Sequence, residues 1–411
     1  MSLLRTQPSG ARIAAPPPVP DIPLSVPQLG GNEWAYLKEC LDGGWVSSAG
    51  PFVTRFEEAV AAYVGAEHAV AVVNGTSGLH IALKVVGVEP DDEVLVSDLT
   101  FVAPVNAILY CGAHPVLMDA NPGTWQMDAD KVERFLEEEC TVRRGSCVNR
   151  RSGRRVRAMV PVHILGLACE MDRLVELARR FRLAVVEDAA EGMGVRFRGR
   201  HVGTFGEVGV LSFNGNKIIT TGGGGMVVTR DAGHAQRVRH LTTQAKRGGI
   251  EYLHDEVGYN YRLTNIQAAL GLAQLEQLGT FIERKRAIAQ RYETALRGLE
   301  RLSVMPRPVG VDATYWLYTV LLDQETTLDE RVRVIAHVRA RGIEARPLWH
   351  PIHALEPYQG FLAYAIEQAN DLYTRGICLP SSVGLREEDQ ARCLAVLKEA
   401  LTLREAWRRA P

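Results

Sequence analysis

The sequence predicts an α/β protein: a mostly parallel, seven-stranded sheet between two helical layers, a three-layer αβα arrangement, with a smaller α+β part towards the C-terminus. Three observations carry this prediction. Seven short apolar, β-branched runs lack polar alternation, as strands covered on both faces do. Amphipathic helical patterns separate these runs, the arrangement that parallel crossovers require. From Asn265 the rhythm changes to a long helical run followed by a second, shorter α/β segment.

In chain order, residues 1–25 are rich in proline, including Pro16-Pro17-Pro18, and are expected to form an extended arm. A large domain is expected over 26–280 and a small one over 281–411. The strands of the large domain are expected at 69–73, 93–96, 115–118, 158–162, 184–186, 209–211 and 226–228. Between the fourth and fifth of these, Leu174, Val175, Leu177, Ala178 and Phe181 form an apolar helical stripe, with Asp172 as its expected N-terminal cap. Helical patterns over 266–278 and 281–299 lead into the small domain, where 318–322 and 342–345 are the strand candidates.

Composition narrows the function. The 411 residues are 46% hydrophobic and 23% charged, which excludes a disordered chain. Lysine plus arginine number 47 and aspartate plus glutamate 48, a balance that argues against a nucleic-acid partner. No stretch approaches the ~20 apolar residues that span a bilayer, and the N-terminus lacks the apolar core of a secretory signal. A cytoplasmic protein with no membrane partner is therefore expected. The seven cysteines contain no C-x-x-C, so neither a disulfide framework nor a metal site is expected. Seven arginines between 143 and 157 lack interleaved aromatics and read as a solvated surface loop.

Ligands of open α/β sheets gather beyond the carboxyl ends of the strands, and three segments lie there. In Val73-Asn74-Gly75-Thr76-Ser77-Gly78 a strand runs into a helix, whose N-terminus favours an anion, although a Ser/Thr cap explains the same residues. In Val186-Glu187-Asp188-Ala189-Ala190-Glu191 three carboxylates arrive at a buried strand end. Asp188 could hold a metal, cap a helix or pair with a protonated ring nitrogen, and no nearby histidine supports the metal. In Ser212-Phe213-Asn214-Gly215-Asn216-Lys217-Ile218-Ile219 a lysine sits among apolar residues ahead of four glycines. A desolvated lysine is a nucleophile for carbonyls, whereas a lysine in a flexible surface loop is not. Together these are the requirements of pyridoxal 5'-phosphate, which carries a phosphate, a pyridine nitrogen and an aldehyde. At ~4 Å and an effective dielectric of ~20, a carboxylate attracts a protonated ring nitrogen by on the order of 4 kcal/mol.

With Thr100-Phe101-Val102-Ala103 and Gly258-Tyr259-Asn260-Tyr261-Arg262, these segments resemble the pyridoxal-phosphate-dependent sugar aminotransferases of the DegT/DnrJ/EryC1/StrS family from about residue 27 to about residue 400. The resemblance implies the type I aminotransferase fold and a homodimer with shared active sites. It also implies that a nucleotide-linked keto sugar becomes a 4-amino or 3-amino sugar, with glutamate as donor. By position, Lys217 resembles the Schiff-base lysine and proton shuttle, Asp188 the partner of the pyridine nitrogen, and Glu191 the contact of the ring hydroxyl. Many members carry glutamine at that last position. Phe101 resembles the stacking aromatic. Thr76, Ser212 and the backbone at Gly75 and Ser77 resemble the phosphate cradle, and Asn260 the residue that reaches the phosphate from the neighbouring subunit. His163 matches a family position near the cofactor and fits a structural hydrogen-bond role equally.

Gly31-Asn32-Glu33-Trp34, Trp45-Val46-Ser47-Ser48-Ala49-Gly50, Arg346-Pro347-Leu348-Trp349 and Gly376-Ile377-Cys378-Leu379-Pro380 are similar to the C-4 aminotransferases of bacillosamine and legionaminic acid biosynthesis. That narrower likeness implies a UDP- or GDP-linked 4-keto-6-deoxy-N-acetylglucosamine as substrate. It also makes Ser48, Arg346, Trp349 and His353 sugar-nucleotide contacts. Trp349 fits a small-domain core position equally, and His353 a surface one. Two rivals are a dehydratase on the same fold, in which histidine replaces the lysine, and a DNA-binding regulator using the arginine run. Lys217 opposes the first and the charge balance the second.

Overall fold

The seven apolar runs all become strands of one sheet in the computed structural model, which describes residues 20–248 and 250–409. They are β1 (His68–Val72), β2 (Glu93–Ser97), β3 (His114–Met118), β4 (Val156–Val160), β5 (Ala184–Asp188), β6 (Val208–Ser212) and β7 (Gly225–Thr229). Among the strands that follow are β8 (Leu302–Ser303), β9 (Tyr318–Leu322), β10 (Arg346–Pro347), β11 (Leu362–Tyr364) and β12 (Gly376–Leu379). The order across the large sheet is β1-β7-β6-β5-β4-β2-β3-β11, with β7 antiparallel to both its neighbours and the other pairs parallel. β2, β5, β6 and β7 are buried at every position. Alternate residues feed two cores: Val94, Val96 and Val186 pack on one face, Leu95 and Val185 on the other.

The eighth strand was not expected. β11 comes from the C-terminal third and adds to the free edge of β3, pairing Leu362 with Val116. Close by, the buried carboxylate of Asp119 accepts the N–H groups of Glu367, Gln368 and Ala369 at 2.8–2.9 Å, so that it caps the helix Gln368–Arg375. Lys131 Nζ donates to it at 2.7 Å. Burial alone would raise the Asp119 pKa, but Lys131 and the three N–H groups hold it below the usual carboxylate range.

Four of these strands form a second sheet, β8-β9-β12-β10. The strand expected at 342–345 is displaced by one step, because Ile343 is taken by Ile22 in an isolated bridge and β10 pairs with β12 instead. Ile22 donates to the Gly342 carbonyl at 3.0 Å, Ser381 donates to the Leu24 carbonyl at 2.7 Å, and Ser25 Oγ donates to the Asn216 carbonyl at 2.9 Å. This end of the expected arm therefore lies against the small sheet, and the rest of it, residues 1–19, lies outside the described residues.

Several local expectations are corrected. The helix Met171–Phe181 follows Glu170, and Asp172 makes no capping bond but pairs with Arg198 at 2.6 Å. Its stripe buries Leu174, Leu177, Ala178 and Phe181, with Val175 half-buried. The arginine run is not a plain loop: it continues a hairpin, Cys140–Arg143 with Ser146–Asn149, into β4. Arg155 chelates Asp92 through two 2.7 Å contacts and Arg157 donates to the Gly87 carbonyl, while Arg143, Arg144 and Arg151 are exposed. All seven cysteines are buried and free. Among the described residues no helix is long and apolar enough to cross a membrane.

A buried histidine makes the fold acid-sensitive. His201 Nε2 accepts the Gly194 N–H at 2.9 Å and Nδ1 faces the Val202 carbonyl, a pattern that only the neutral ring satisfies. Burial pushes its pKa down to about 4. Its contribution is fully present above the ordinary imidazole value near 6.5 and is lost as pH falls towards 4, roughly 3 kcal/mol in total. His80, whose buried ring nitrogens have no hydrogen-bond partner among the described residues, is likewise pushed down to about 4 by burial and Lys84. We expect the urea midpoint of cofactor-free protein to drop between pH 7.5 and 5.0, and to drop less in His201→Gln; equal drops would remove His201 from this account.

Candidate active site

The carboxyl ends of β1, β2, β5 and β6 open onto a cleft of about 310 Å³, closed on its far side by Trp316, Arg346 and Trp349 from the C-terminal part of the chain. At the end of β1 the helix Gly75–Val85 begins. Its cap is Asn74, whose Oδ1 accepts the Ser77 N–H at 2.8 Å, so the hydroxyls of Thr76 and Ser77 are not needed for capping. Gly75 and Thr76 line the cleft with Ser212 of β6 opposite. The packing there is close: a Cβ on Gly75 would lie 3.1 Å from Ser212 Cβ, and one on Gly225 would lie 2.8 Å from the Asn74 carbonyl carbon. That second approach is the reason the four-glycine run ends where β7 passes the start of the helix.

The three carboxylates of β5 and the turn after it have separate fates. Glu187 is an internal anchor. It accepts the N–H groups of Gly203, Phe205 and Gly206 at 2.5–2.7 Å and faces His163 Nε2 at 3.0 Å. Burial alone would raise its pKa, but His163 and these donors hold it low. Asp188 faces the cleft with one backbone donor, the Ala190 N–H at 3.0 Å. Burial pushes its pKa up to about 6. Glu191 accepts the Leu165 N–H on Oε2 at 2.8 Å and meets Lys217 Nζ on Oε1 at 3.2 Å. Leu165 has φ +61°, a strained backbone for leucine that aims this N–H at the carboxylate.

Lys217 thus lies in the cleft against a carboxylate, and its Nζ also sits 3.9 Å from the centre of the Trp316 ring. Phe101 stands at the rim, 58% exposed. Trp316 and Trp349 lie parallel within 10° at 6.4 Å. Arg346 has the Cys378 thiol as its neighbour and no carboxylate ion-pair partner among the described residues.

The structure therefore brings Gly75, Thr76, Phe101, Asp188, Glu191 and Ser212 together with Lys217, Arg346 and Trp349. It does not bring in the others. The Ser77 N–H is spent on Asn74. His163 is fully buried beneath the cleft, its Nδ1 accepting the Cys169 N–H at 3.1 Å, which leaves neither ring nitrogen for a ligand. His353 is tied to Asp98 through Nδ1 at 2.7 Å and through its N–H at 2.9 Å. Ser48 is exposed away from the cleft. Asn260 is also exposed, and Arg262 pins its loop to the Glu57 carboxylate and to the Ala71 carbonyl. Trp316, Asn214 and Asn216 line the cleft without having been singled out from sequence. His240, Asp255 and Glu256 group on the surface at metal-ligand spacing, but Arg237 and Arg247 engage the two acids.

A helix start free to take an anion, a buried acid short of donors and an amine reachable from both fit a phosphorylated pyridine aldehyde. On this fold, the type I aminotransferase fold, they define a pyridoxal-phosphate-dependent transferase. Residues 27–398 match the model of the DegT/DnrJ/EryC1/StrS aminotransferase family. The chain is 40% identical over 386 residues to the GDP-perosamine synthase of Caulobacter vibrioides, covering 93% of this chain and 99% of that one. It is also 40% identical over 368 residues to the GDP-perosamine synthase of Escherichia coli O157:H7, covering 89% and 95%. Among solved structures, the aminotransferase TlmJ from Streptoalloteichus hindustanus superimposes with a TM-score of 0.84 at 30% identity, covering 93% and 99%. The chain belongs to the DegT/DnrJ/EryC1/StrS family and is a pyridoxal-phosphate-dependent sugar aminotransferase.

Proposed function

We propose that this enzyme moves the amino group of glutamate to the C-4 ketone of a nucleotide-linked 4-keto-6-deoxy sugar. We place it, as a homodimer, in bacterial surface-glycan or nonulosonic acid biosynthesis. The observation that carries the reading is that Lys217 and Asp188 line one cleft in a member of this family. Relatives named for GDP-perosamine favour a GDP-linked sugar over a UDP-linked one.

Pyridoxal phosphate, when bound, supplies an electron-withdrawing ring that stabilises negative charge on the carbon bearing the transferred nitrogen. Asp188 holds the proton on the ring nitrogen. Gly75, Thr76 and Ser212 would take the phosphate at the helix start, Phe101 would cover the ring face, and Glu191 would face the ring hydroxyl. Lys217 Nζ would take the proton from the donor α-carbon in the first half-reaction and deliver one to the sugar C-4 in the second. Arg346, a cation without a carboxylate, takes an anionic group of the substrates, and Trp349 packs beside the sugar. Asn260, held outwards, serves the cleft of the neighbouring copy.

The test is to offer GDP- and UDP-linked 4-keto-6-deoxy sugars with glutamate and to identify the product by mass and NMR. A GDP-linked 4-amino-6-deoxy sugar is expected. Turnover of N-acetyl sugars alone, UDP- or GDP-linked, would move the substrate towards the bacillosamine and legionaminic acid type, and a 3-deoxy product without nitrogen would restore the dehydratase reading. The DNA-binding alternative is weakened because Arg155 and Arg157 are spent inside the fold, which shortens the free arginine run.

A further inference from the structure

Trp316 lies about a hundred residues from the segments that suggest the cofactor, yet its contacts converge on Lys217. The indole ring centre is 3.9 Å from Lys217 Nζ. Its Nε1–H donates at 2.7 Å to the carbonyl of Asn216, the residue immediately before the lysine. The tryptophan backbone is fixed from behind as well. Its carbonyl accepts from Lys285 Nζ at 2.6 Å, and its N–H side packs on Gly166, where a Cβ would come within 2.5 Å of the Trp316 nitrogen. Thr314 donates to the Gly166 carbonyl at 3.0 Å, and Tyr315 between them has φ +51°. Lys285 itself is 2% exposed, with the carbonyls of Trp316 and Ser381 as its hydrogen-bond partners. A buried amine is costly to keep without a carboxylate, so its place here marks a point where the loop must be held.

We propose that Trp316 is a positioning residue for the reactive amine: its ring face and its bond to the Asn216 carbonyl fix the direction of the Lys217 side chain. This rests on reading Lys217 as the amine that captures the cofactor. A lysine side chain has four rotatable carbons, and a cation is attracted to an indole face. Glu191 holds the ammonium on one side and the indole on another, so the amine is presented in one orientation rather than many. The small domain, which supplies Trp316, thereby sets the geometry of a lysine carried by the large one. In Trp316→Phe the ring face persists and the Asn216 bond is lost; in Trp316→Leu both are lost.

The test has three readouts on wild type, Trp316→Phe and Trp316→Leu. Cofactor-free protein is loaded with pyridoxal phosphate and followed by visible absorbance. Its lysines are separately pulsed with an acetylating ester and mapped by mass spectrometry. Steady-state rates are then measured on the keto sugar. Trp316→Leu is expected to capture the cofactor about tenfold more slowly, because the Lys217 side chain regains the rotational freedom that the indole removes, and Trp316→Phe to fall in between. Acetylation of Lys217 should rise relative to the exposed Lys38 while Lys285 stays protected. The kcat should fall in the same order, with the KM for sugar within about threefold of wild type. Unchanged capture in both variants overturns the proposal, as does joint exposure of Lys217 and Lys285, which would signal a merely loosened fold. Failure of the wild type to form a bond to the cofactor at Lys217 would instead overturn the reading of the lysine, and the two failures are told apart by that control.

Discussion

Lys217→Ala should give a folded protein whose aminotransfer has fallen by about four orders of magnitude or more. Proton transfer by one positioned group is worth roughly 10²–10⁴-fold, and this side chain also supplies the amine that bonds the cofactor. The fold should survive, because the side chain contributes only its contacts to Glu191, which keeps the Leu165 N–H at 2.8 Å, and to the Trp316 ring, whose Nε1–H stays bonded to the Asn216 carbonyl. Circular dichroism, the cofactor spectrum and initial rates would check the three parts of this expectation. Borohydride reduction of the loaded wild type followed by peptide mapping should place the label at residue 217. A Lys217→Ala enzyme working at even a hundredth of the wild-type rate would put the chemistry elsewhere.

Asp188→Asn is the second large effect. The substitution keeps the shape and the Ala190 hydrogen bond but removes the charge. An attraction on the order of 4 kcal/mol to a protonated ring nitrogen corresponds to about a thousandfold, expected mainly in kcat and partly in cofactor affinity. The acid also gives a pH signature. Burial raises its pKa to about 6 in the cofactor-free cleft, so the carboxylate is charged above that value and neutral below it. Wild-type affinity for pyridoxal phosphate should therefore weaken as pH falls through about 6, and the asparagine variant should lack that step. In the cofactor-free protein the same raised pKa favours the folded state on acidification, opposing the loss from His201 in the same window. Identical pH dependence of cofactor binding in the two proteins would contradict the role given to Asp188.

The strands were legible because both faces of the large sheet are covered, so that Val94, Leu95 and Val96 read as one apolar run. β11 was not legible. It is three residues long at an edge, and nothing local tells Leu362-Ala363-Tyr364 that β3 is waiting for it. Ile343 misled for a related reason: the strand-like run was real, but Ile22 from the other end of the chain claimed it. In the site, Asp188 stood out because it ends an apolar strand with a charge, and Lys217 because it stands directly before Ile218-Ile219 and a glycine run. Ser77 was misassigned because the cap is the less conspicuous Asn74 three residues earlier. His163 has the right neighbourhood, but its ring faces Glu187, the anchor beneath the cleft. Trp316 carried no local mark at all, since its meaning depends on a contact across the domains.

The return of residues 362–369 to β3 and Asp119 has a consequence for biogenesis. While the chain is still on the ribosome, the large sheet can assemble from its first seven strands, but the β3 margin stays open until nearly nine-tenths of the polypeptide has emerged. An unpaired margin in a parallel sheet invites pairing with another nascent chain. Quality control of this enzyme should thus hinge on how quickly three late residues find their berth.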